Sequence, residues 1–168
     1  SHVIQATFVG TGTAFSRRYG NSNVLVEGGG VRLMVDFGFT SPARLNALGR
    51  SLEEITHVAV SHIHADHVGG LEELAFMSRF VFQRRPTLVV PAVLTDDLWQ
   101  TALRGGLEWT ADDHGDAMRC SLETYFDLRV LDDGWCDLGG VEILAFPNDH
   151  VPGKESFGFV VRDGLLSA

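Results

Sequence analysis

A cluster of ligand-type side chains between residues 62 and 67 constrains this chain more than any other feature. Residues 61–67 read Ser-His-Ile-His-Ala-Asp-His, directly after the apolar run Val58-Ala-Val60 and just before Gly69-Gly70. Such an apolar run predicts a buried strand, so the cluster would lie where that strand leaves the core. Three imidazoles and a carboxylate so close together favour a metal site over a loop that is rich in histidine by chance.

The spacing inside the cluster suggests how metal ions could be bound. His62 and His64 are two positions apart in an extended segment, so their side chains point the same way and can share one metal. Asp66 and His67 come where the chain turns into the next predicted helix, and they can reach a second metal. Histidine and carboxylate ligands suit zinc, manganese or iron, and this pattern leaves all three open.

Length and charge limit the classes of partner. The chain has 168 residues, 45% of them hydrophobic, which predicts one domain with its own core. Its formal net charge is −9. Proteins that bind long nucleic acids usually carry a basic face, because neutralised phosphates supply most of the affinity. The balance therefore disfavours a long nucleic acid and favours a small anionic substrate held by the metal.

Cysteine usage and hydropathy bear on the compartment and on assembly. Cys120 and Cys136 form no CxxC pair, so we expect two reduced cysteines in a cytoplasmic protein. We see no signal-peptide pattern and no apolar run near the roughly 18 residues of a membrane span, so a membrane is not an expected partner. A homodimer is left open, although an apolar run at this spacing is more often core. The residues concerned are Phe76, Met77, Phe80 and Phe82.

The order of predicted elements favours an α/β fold with mixed, partly antiparallel sheets. A strand over residues 3–9 is followed by two strand-like runs around Gly28-Gly-Gly30, which predict a hairpin. Ser41-Pro42 predicts the start of a helix with Ser41 as N-cap. Residues 71–82 predict another helix, and residues 105–119 are expected to be loop. Further strands are expected at residues 87–90, 128–131, 141–146 and 157–161.

The motif His-x-His-x-Asp-His, placed after a hydrophobic strand and before Gly-Gly, resembles the signature of the metallo-β-lactamase fold superfamily. Phe8-Val-Gly-Thr-Gly12 resembles its first strand and turn, and Leu33-Met-Val-Asp-Phe-Gly38 resembles its second strand block. Residues 150–159, like residues 20–23, are similar to the phosphodiesterase branch, which includes transfer-RNA 3′-processing ribonucleases and cyclic-nucleotide phosphodiesterases. The resemblance covers nearly the whole chain. It implies an αββα sandwich with mixed sheets, of which this chain would be the N-terminal half to two-thirds.

The resemblance also implies a role for each matching residue. His62, His64 and His150 would bind the first of two divalent metal ions, and Asp66 and His67 would bind the second. Zinc is the favoured metal, with manganese or iron as alternatives. Asp66 would also be the catalytic residue that holds or deprotonates the attacking water.

Two further points follow from the resemblance. Asp36 ends a strand and would accept a hydrogen bond that steadies a ligand histidine, although it could equally be an ordinary turn residue. Members of the superfamily place a bridging aspartate, usually in a Gly-Asp-Thr turn, after the strand that matches residues 157–161 and its partner, and a last histidine follows later. This sequence stops at Ala168, before both. We therefore expect residues 1–168 to be a metallo-β-lactamase-like domain that is incomplete at its C-terminus.

Metal-dependent hydrolysis is the function that these expectations favour. Two cations would lower the pKa of water towards about 7 and stabilise the negative charge that develops in the reaction. The branch resemblance favours a phosphodiesterase that acts on a small nucleotide or cyclic nucleotide. The alternatives are a lactone, thioester or β-lactam hydrolase and a tRNA 3′-processing ribonuclease. The non-enzyme alternative is a metal-binding scaffold, which the intact ligand set disfavours.

Overall fold

The described part of the chain forms a helical layer, two packed β-sheets and a separate two-stranded hairpin. Our computed structural model describes residues 3–10, 23–148, 153 and 155–164. The expected ligand His150 and residues 20–22 of the matching stretch lie outside the described residues. No helix in the described ranges is both long enough and apolar enough to cross a membrane.

Eleven strands form three sheets in the described part of the chain. In chain order they are β1 Gln5–Gly10, β2 Asn23–Gly28, β3 Val31–Val35, β4 His57–Ala59, β5 Thr87–Pro91, β6 Trp109–Ala111, β7 Ala117–Arg119, β8 Asp127–Leu131, β9 Cys136–Asp137, β10 Val141–Asn148 and β11 Ser156–Asp163. The largest sheet has the order β1-β2-β3-β4-β5-β8. The β1–β2 and β2–β3 pairs are antiparallel, and the β3–β4, β4–β5 and β5–β8 pairs are parallel, so the sheet is mixed, as predicted. Strands β11, β10 and β9 form an antiparallel second sheet.

Short helices connect the strands. They are α1 Ser41–Ala47, α2 Ala65–Val68, α3 Leu71–Phe76, α4 Thr95–Asp97, α5 Arg104–Leu107 and α6 Leu122–Tyr125. Helix α3 continues as a π-helical segment over Met77–Phe82, which ends where Gln83 adopts a left-handed conformation. Together these two segments confirm the helix predicted over residues 71–82. Helix α4 likewise continues into a π-helical segment over Leu98–Leu103.

Alternating side chains of the large sheet pack on two different layers. In β4 and the residue after it, Val58 and Val60 face the helices, and Ala59 faces the second sheet. In β5, Leu88 packs on the helical side and Val89 on the second sheet. Because both faces are covered, the residues after His57 in β4 and after Thr87 in β5 are all apolar, and their sequence shows no polar alternation.

Two glycine turns bring the backbones of the two sheets close together. A Cβ atom built on Gly140 would lie 2.5 Å from the carbonyl oxygen of Gly29, and one on Gly29 would lie 2.7 Å from the Cα of Gly140. Backbone therefore meets backbone here, and only glycine leaves enough space. The contact fixes the β2–β3 hairpin against the turn before β10.

Two local predictions were wrong. Ser41 is the first residue of α1 and not its cap, because Thr40 occupies the N-cap position and the Ser41 hydroxyl donates to the side chain of Asn23 instead. The expected loop over residues 105–119 contains most of α5 and the β6–β7 hairpin. The turn of that hairpin is closed by Asp112, whose Oδ1 accepts hydrogen bonds from the backbone of His114 and Asp116.

Candidate metal centre

The histidine cluster lies where β4 leaves the large sheet. The backbone N–H of Val60 still donates to β5, at Val89, and the carbonyl of Ser61 then accepts from Phe157 of the second sheet. His62 follows and is 3% exposed. His64 is half-buried and occupies the N-cap position of α2, which carries Asp66 and His67 in its single turn. The cluster is thus held between both sheets and a short helix.

The three imidazole rings of the cluster lie side by side. The ring centroids of His62 and His67 are 3.7 Å apart, and those of His62 and His64 are 5.0 Å apart. The carboxylate of Asp66 lies 3.1 Å from His67, measured from Oδ2 to Nε2. The structure therefore brings together four of the five side chains predicted to bind metal. His150 is the fifth and lies outside the described residues.

Asp36 contacts this cluster from the end of β3. Its Oδ1 accepts a hydrogen bond of 2.8 Å from the Ser61 backbone, and its Oδ2 accepts one of 2.6 Å from the Ser61 hydroxyl. The same Oδ2 lies 2.7 Å from Nδ1 of His67. The Ser61 hydroxyl also lies 3.0 Å from Nδ1 of His62. One carboxylate and one hydroxyl thus orient two of the rings through their Nδ1 atoms.

The segment after Asp36 forms a second set of contacts with the cluster through backbone groups. The N–H of Phe37 donates to the carbonyl of His67 over 2.7 Å, and the carbonyl of Phe37 accepts from Gly70 over 2.9 Å. A Cβ atom on Gly70 would lie 2.4 Å from the carbonyl oxygen of Gly38. The Gly69-Gly70 pair after the motif therefore permits this close approach.

Asn23 supports the cluster from β2 and was not among the predicted site residues. Its side chain is almost fully buried. Its Oδ1 accepts a hydrogen bond from the backbone of Gly38 over 3.1 Å and another from the Ser41 hydroxyl, and its Nδ2 donates to the carbonyl of Asp66 over 3.4 Å. Asn23 therefore connects three segments at the level of Asp66.

Burial and neighbouring charges shift the pKa values of His62 and His67 in opposite directions. Burial lowers the pKa of His62 to about 4, and the positive charges of His67 and His64 act in the same direction. Burial also disfavours the charged form of His67, yet its hydrogen bond to Asp36 and the charges of Asp36 and Asp66 outweigh this and raise its pKa. At neutral pH His62 is therefore in the neutral form that a metal ligand requires, whereas His67 holds its proton more strongly.

The chemistry of these side chains fits a divalent ion. Imidazole and carboxylate are ligands of zinc, manganese and iron. A carboxylate on Nδ1 of a histidine is the usual partner of a metal-binding imidazole, because it orients the ring and selects Nε2 as the ligand atom. Within residues 3–10, 23–148, 153 and 155–164, no group of three or more such side chains is already arranged around one point. The described residues thus fit a metal by their chemical type and by the hydrogen bonds that support them.

Solved structures of the same architecture define the class of fold. The metallo-β-lactamase fold protein YhfI from Bacillus subtilis superposes with a TM-score of 0.73 at 17% identity, over 96% of this chain and 59% of that one. Human tRNase Z, short form, superposes with a TM-score of 0.64 at 25% identity, over 96% of this chain and 65% of that one. The chain therefore has the metallo-β-lactamase fold, as the motif predicted.

A more specific family follows from sequence comparison. The model of the family described as "Anti-Pycsar protein Apyc1" matches residues 4–168. Proteins of that name from Saccharibacillus brassicae and Bacillus phage BSP38 are each 40% identical to this chain, over 95% and 96% of its length. The chain belongs to this family. It spans 64% and 65% of the length of these two relatives.

Proposed function

We propose that this protein is a metal-dependent hydrolase that cleaves a phosphodiester bond in a small nucleotide, with a cyclic nucleotide as the favoured substrate. The observation that carries the proposal is the arrangement around His67. One ring nitrogen of His67 faces the buried carboxylate of Asp36, and the other faces Asp66, its neighbour in α2. A structural histidine has little need of two carboxylates, whereas a metal ligand needs one to orient it and another beside it in the ligand set.

Each residue of the site would have a distinct role. His62, His64 and His150 would hold one divalent ion, and Asp66 and His67 a second, with zinc favoured over manganese or iron. When bound, the ions would supply Lewis acidity, which lowers the pKa of water and stabilises negative charge on the phosphoryl oxygens. Asp66 would orient the attacking water and accept its proton. Asp36 and Ser61 would keep the two rings in place during turnover.

One comparison supports phosphodiester chemistry, and the net charge supports a small substrate. The relatives carry the name Anti-Pycsar protein Apyc1, and one solved structure of the same fold, at 25% identity, is a tRNase. The net charge of −9 disfavours a tRNA-sized polyanion as substrate. A mononucleotide, whose single phosphate can be bound by the metal ions, satisfies both observations.

The test is hydrolysis by the metal-loaded full-length protein and by its Asp66→Ala variant. We expect hydrolysis of 3′,5′-cyclic nucleotides, loss of turnover by at least about a thousandfold in Asp66→Ala, and a nearly unchanged melting temperature. Asp113→Ala is the matched control, because Asp113 is an exposed aspartate in the β6–β7 turn. Full activity in Asp66→Ala would refute the catalytic role of Asp66.

The same preparation separates the competing functions. Activity on precursor tRNA, or on a lactone, thioester or β-lactam but not on cyclic nucleotides, would replace the proposed substrate. Metal binding without activity on any of these would favour a scaffold. Metal content per chain, measured by mass spectrometry on protein purified without added metal, should be two equivalents, and one equivalent or none would contradict the dinuclear site.

A further inference from the structure

The hydroxyl of Ser61 lies between the carboxylate of Asp36 and the ring of His62. Its Oγ is 2.6 Å from Oδ2 of Asp36 and 3.0 Å from Nδ1 of His62. Ser61 is 7% exposed, and its backbone is held on both sides, because its N–H donates to Oδ1 of Asp36 and its carbonyl accepts from Phe157. The hydroxyl therefore has a well-defined position between the two groups.

The chemistry of these three groups fixes the direction of both hydrogen bonds. A carboxylate only accepts, so the Ser61 hydroxyl donates its single proton to Asp36. The same oxygen can then only accept from His62, so the proton of the neutral His62 imidazole lies on Nδ1. Nε2 of His62 then carries the lone pair, and a lone pair is what a ring nitrogen needs to bind a metal ion.

Asp36 acts on His67 in the same way but without an intermediate. The Oδ2 that accepts from Ser61 also lies 2.7 Å from Nδ1 of His67, whereas the Ser61 hydroxyl is 3.5 Å from that nitrogen. The proton on Nδ1 of His67 is therefore held by Asp36, and metal binding falls to Nε2, on the side of Asp66. One carboxylate oxygen thus acts on both rings, on His67 directly and on His62 through a hydroxyl.

We propose that Ser61 is a positioning residue that transmits the hydrogen-bond direction set by Asp36 to His62, so that one carboxylate prepares the metal-binding nitrogen of both rings. The inference rests on the proposed function, in which His62 and His67 hold different metal ions, and it adds a link between the two ions. Loss of the Asp36 carboxylate should weaken the binding of both ions, whereas loss of the Ser61 hydroxyl should weaken only the ion at His62.

The first test locates the ring proton of His62 in metal-free, full-length protein labelled with ¹⁵N-histidine. Two-bond ¹H–¹⁵N correlation spectra at neutral pH distinguish a proton on Nδ1 from one on Nε2, and His62→Gln assigns the signals. We expect the proton on Nδ1 in the wild type and on Nε2 in Ser61→Ala, which lacks the acceptor. Asp36→Asn should have the same effect, because its NH₂ group would donate to Ser61 and turn the hydroxyl proton towards His62. Ser61→Thr keeps the hydroxyl and should restore the wild-type spectrum.

Two controls accompany these spectra. His57 is an internal control, because its Nδ1 lies 2.7 Å from the hydroxyl of Thr56 and its signals should not change in any variant. Ser78→Ala removes another buried hydroxyl, for which the described residues offer no hydrogen-bond partner, and it should leave the signals of His62 in place. Circular dichroism and melting temperature establish that each variant folds.

The second test measures the affinity of each zinc equivalent by competition with a chromophoric chelator. We expect Ser61→Ala to weaken one equivalent by about 10–100-fold and to leave the other within about threefold of wild type, and Asp36→Asn to weaken both. When Ser61 is already alanine, adding Asp36→Asn should no longer alter the ring proton of His62, since the hydroxyl that transmits the effect is gone.

A ring proton of His62 that stays on Nδ1 in either Ser61→Ala or Asp36→Asn overturns the inference and leaves the proposed function intact. An equal loss of affinity for both zinc equivalents in Ser61→Ala overturns it too, because Ser61 would then support the cluster as a whole. Zinc-loaded wild-type protein that hydrolyses no cyclic nucleotide contradicts the proposed function itself, whatever the spectra show.

Discussion

Replacement of Asp36 by asparagine should weaken metal binding much more than it weakens the fold. The side chain of Asp36 is 5% exposed, and its carboxylate contacts the Ser61 backbone, the Ser61 hydroxyl and Nδ1 of His67. Its φ angle is +64°, a conformation that asparagine adopts about as readily as aspartate. Asp36→Asn therefore changes the chemistry of one oxygen with little backbone strain.

The expected loss of stability follows from the hydrogen bonds that the new amide can still make. Its carbonyl oxygen can still accept from the Ser61 backbone, whereas its NH₂ group would face the Ser61 hydroxyl and the His67 ring. Hydrogen bonds to a charged group contribute about 1.5–3 kcal/mol and neutral ones about 1 kcal/mol, so we expect a loss of about 1–2 kcal/mol in the free energy of unfolding. A donor at Nδ1 also moves the imidazole proton of His67 to Nε2, the atom that would bind metal. Loss of such a partner typically lowers metal affinity by about 10–100-fold.

The free energy of unfolding would be measured by urea titration of metal-free protein, and zinc affinity by competition with a chromophoric chelator at fixed pH. Asp113→Asn provides a control for the loss of one charge at an exposed position. Zinc affinity within about twofold of wild type in Asp36→Asn would refute the argument that Asp36 sets the tautomer of a metal ligand. A loss of stability above about 4 kcal/mol would show that the amide cannot replace the carboxylate, and it would refute the claim of a preserved fold.

Three further predictions concern the rest of the molecule. Gly140→Ala places a Cβ against the Gly29 carbonyl and should lower the free energy of unfolding, measured by urea titration, by about 1–3 kcal/mol. The control Gly105→Ala lies in open space on α5 and should leave that free energy unchanged or raise it by up to about 1 kcal/mol. Glu27 accepts paired hydrogen bonds of 3.0 and 2.9 Å from Arg50, and these lower the pKa of Glu27 below 4.5. The stabilisation is therefore fully present above pH 4.5 and is lost as the pH falls through the lower pKa of Glu27 in the folded state. Glu27→Gln should therefore remove about 1 kcal/mol from the acid-dependent loss of stability between neutral pH and about pH 3, measured as urea midpoints. Added zinc should raise the melting temperature in proportion to the logarithm of its free concentration, and no response would argue against specific binding to the folded state.

The elements that could be predicted from sequence are those whose pattern is local. Strands β4 and β5 contain short apolar runs, because each is covered on both faces, and such runs predict buried strands. The hairpin of β2 and β3 was marked by Gly28-Gly-Gly30, whose conformation allows the reversal. The helix over residues 71–82 was marked by apolar spacing.

The elements that were missed depend on contacts that no local pattern records. Strands β6 and β7 have three residues each, too short for alternation to be recognised. Their hairpin is completed by Glu108, whose carboxylate contacts both Arg104 and Arg119 from different elements. The change from α-helical to π-helical geometry at Met77 and at Leu98 was missed as well, and no signal in the sequence indicated it.

In the candidate site, too, the ligand residues are local in sequence, whereas the residues that support them by hydrogen bonds are distant. The four described ligand candidates lie within six consecutive residues, which is why a motif could reveal them. Their supports are distant in sequence: Asp36 is 31 positions from His67, and Asn23 is 43 from Asp66. Gly70 is the one support that the motif itself contains. The Gly38 backbone that it contacts is distant in sequence, but the glycine at position 70 already indicates that a side chain has no room there. A motif therefore identifies which residues can bind metal. Asp36 at the end of β3 and Asn23 at the start of β2 determine whether those residues are held in a geometry that binds it.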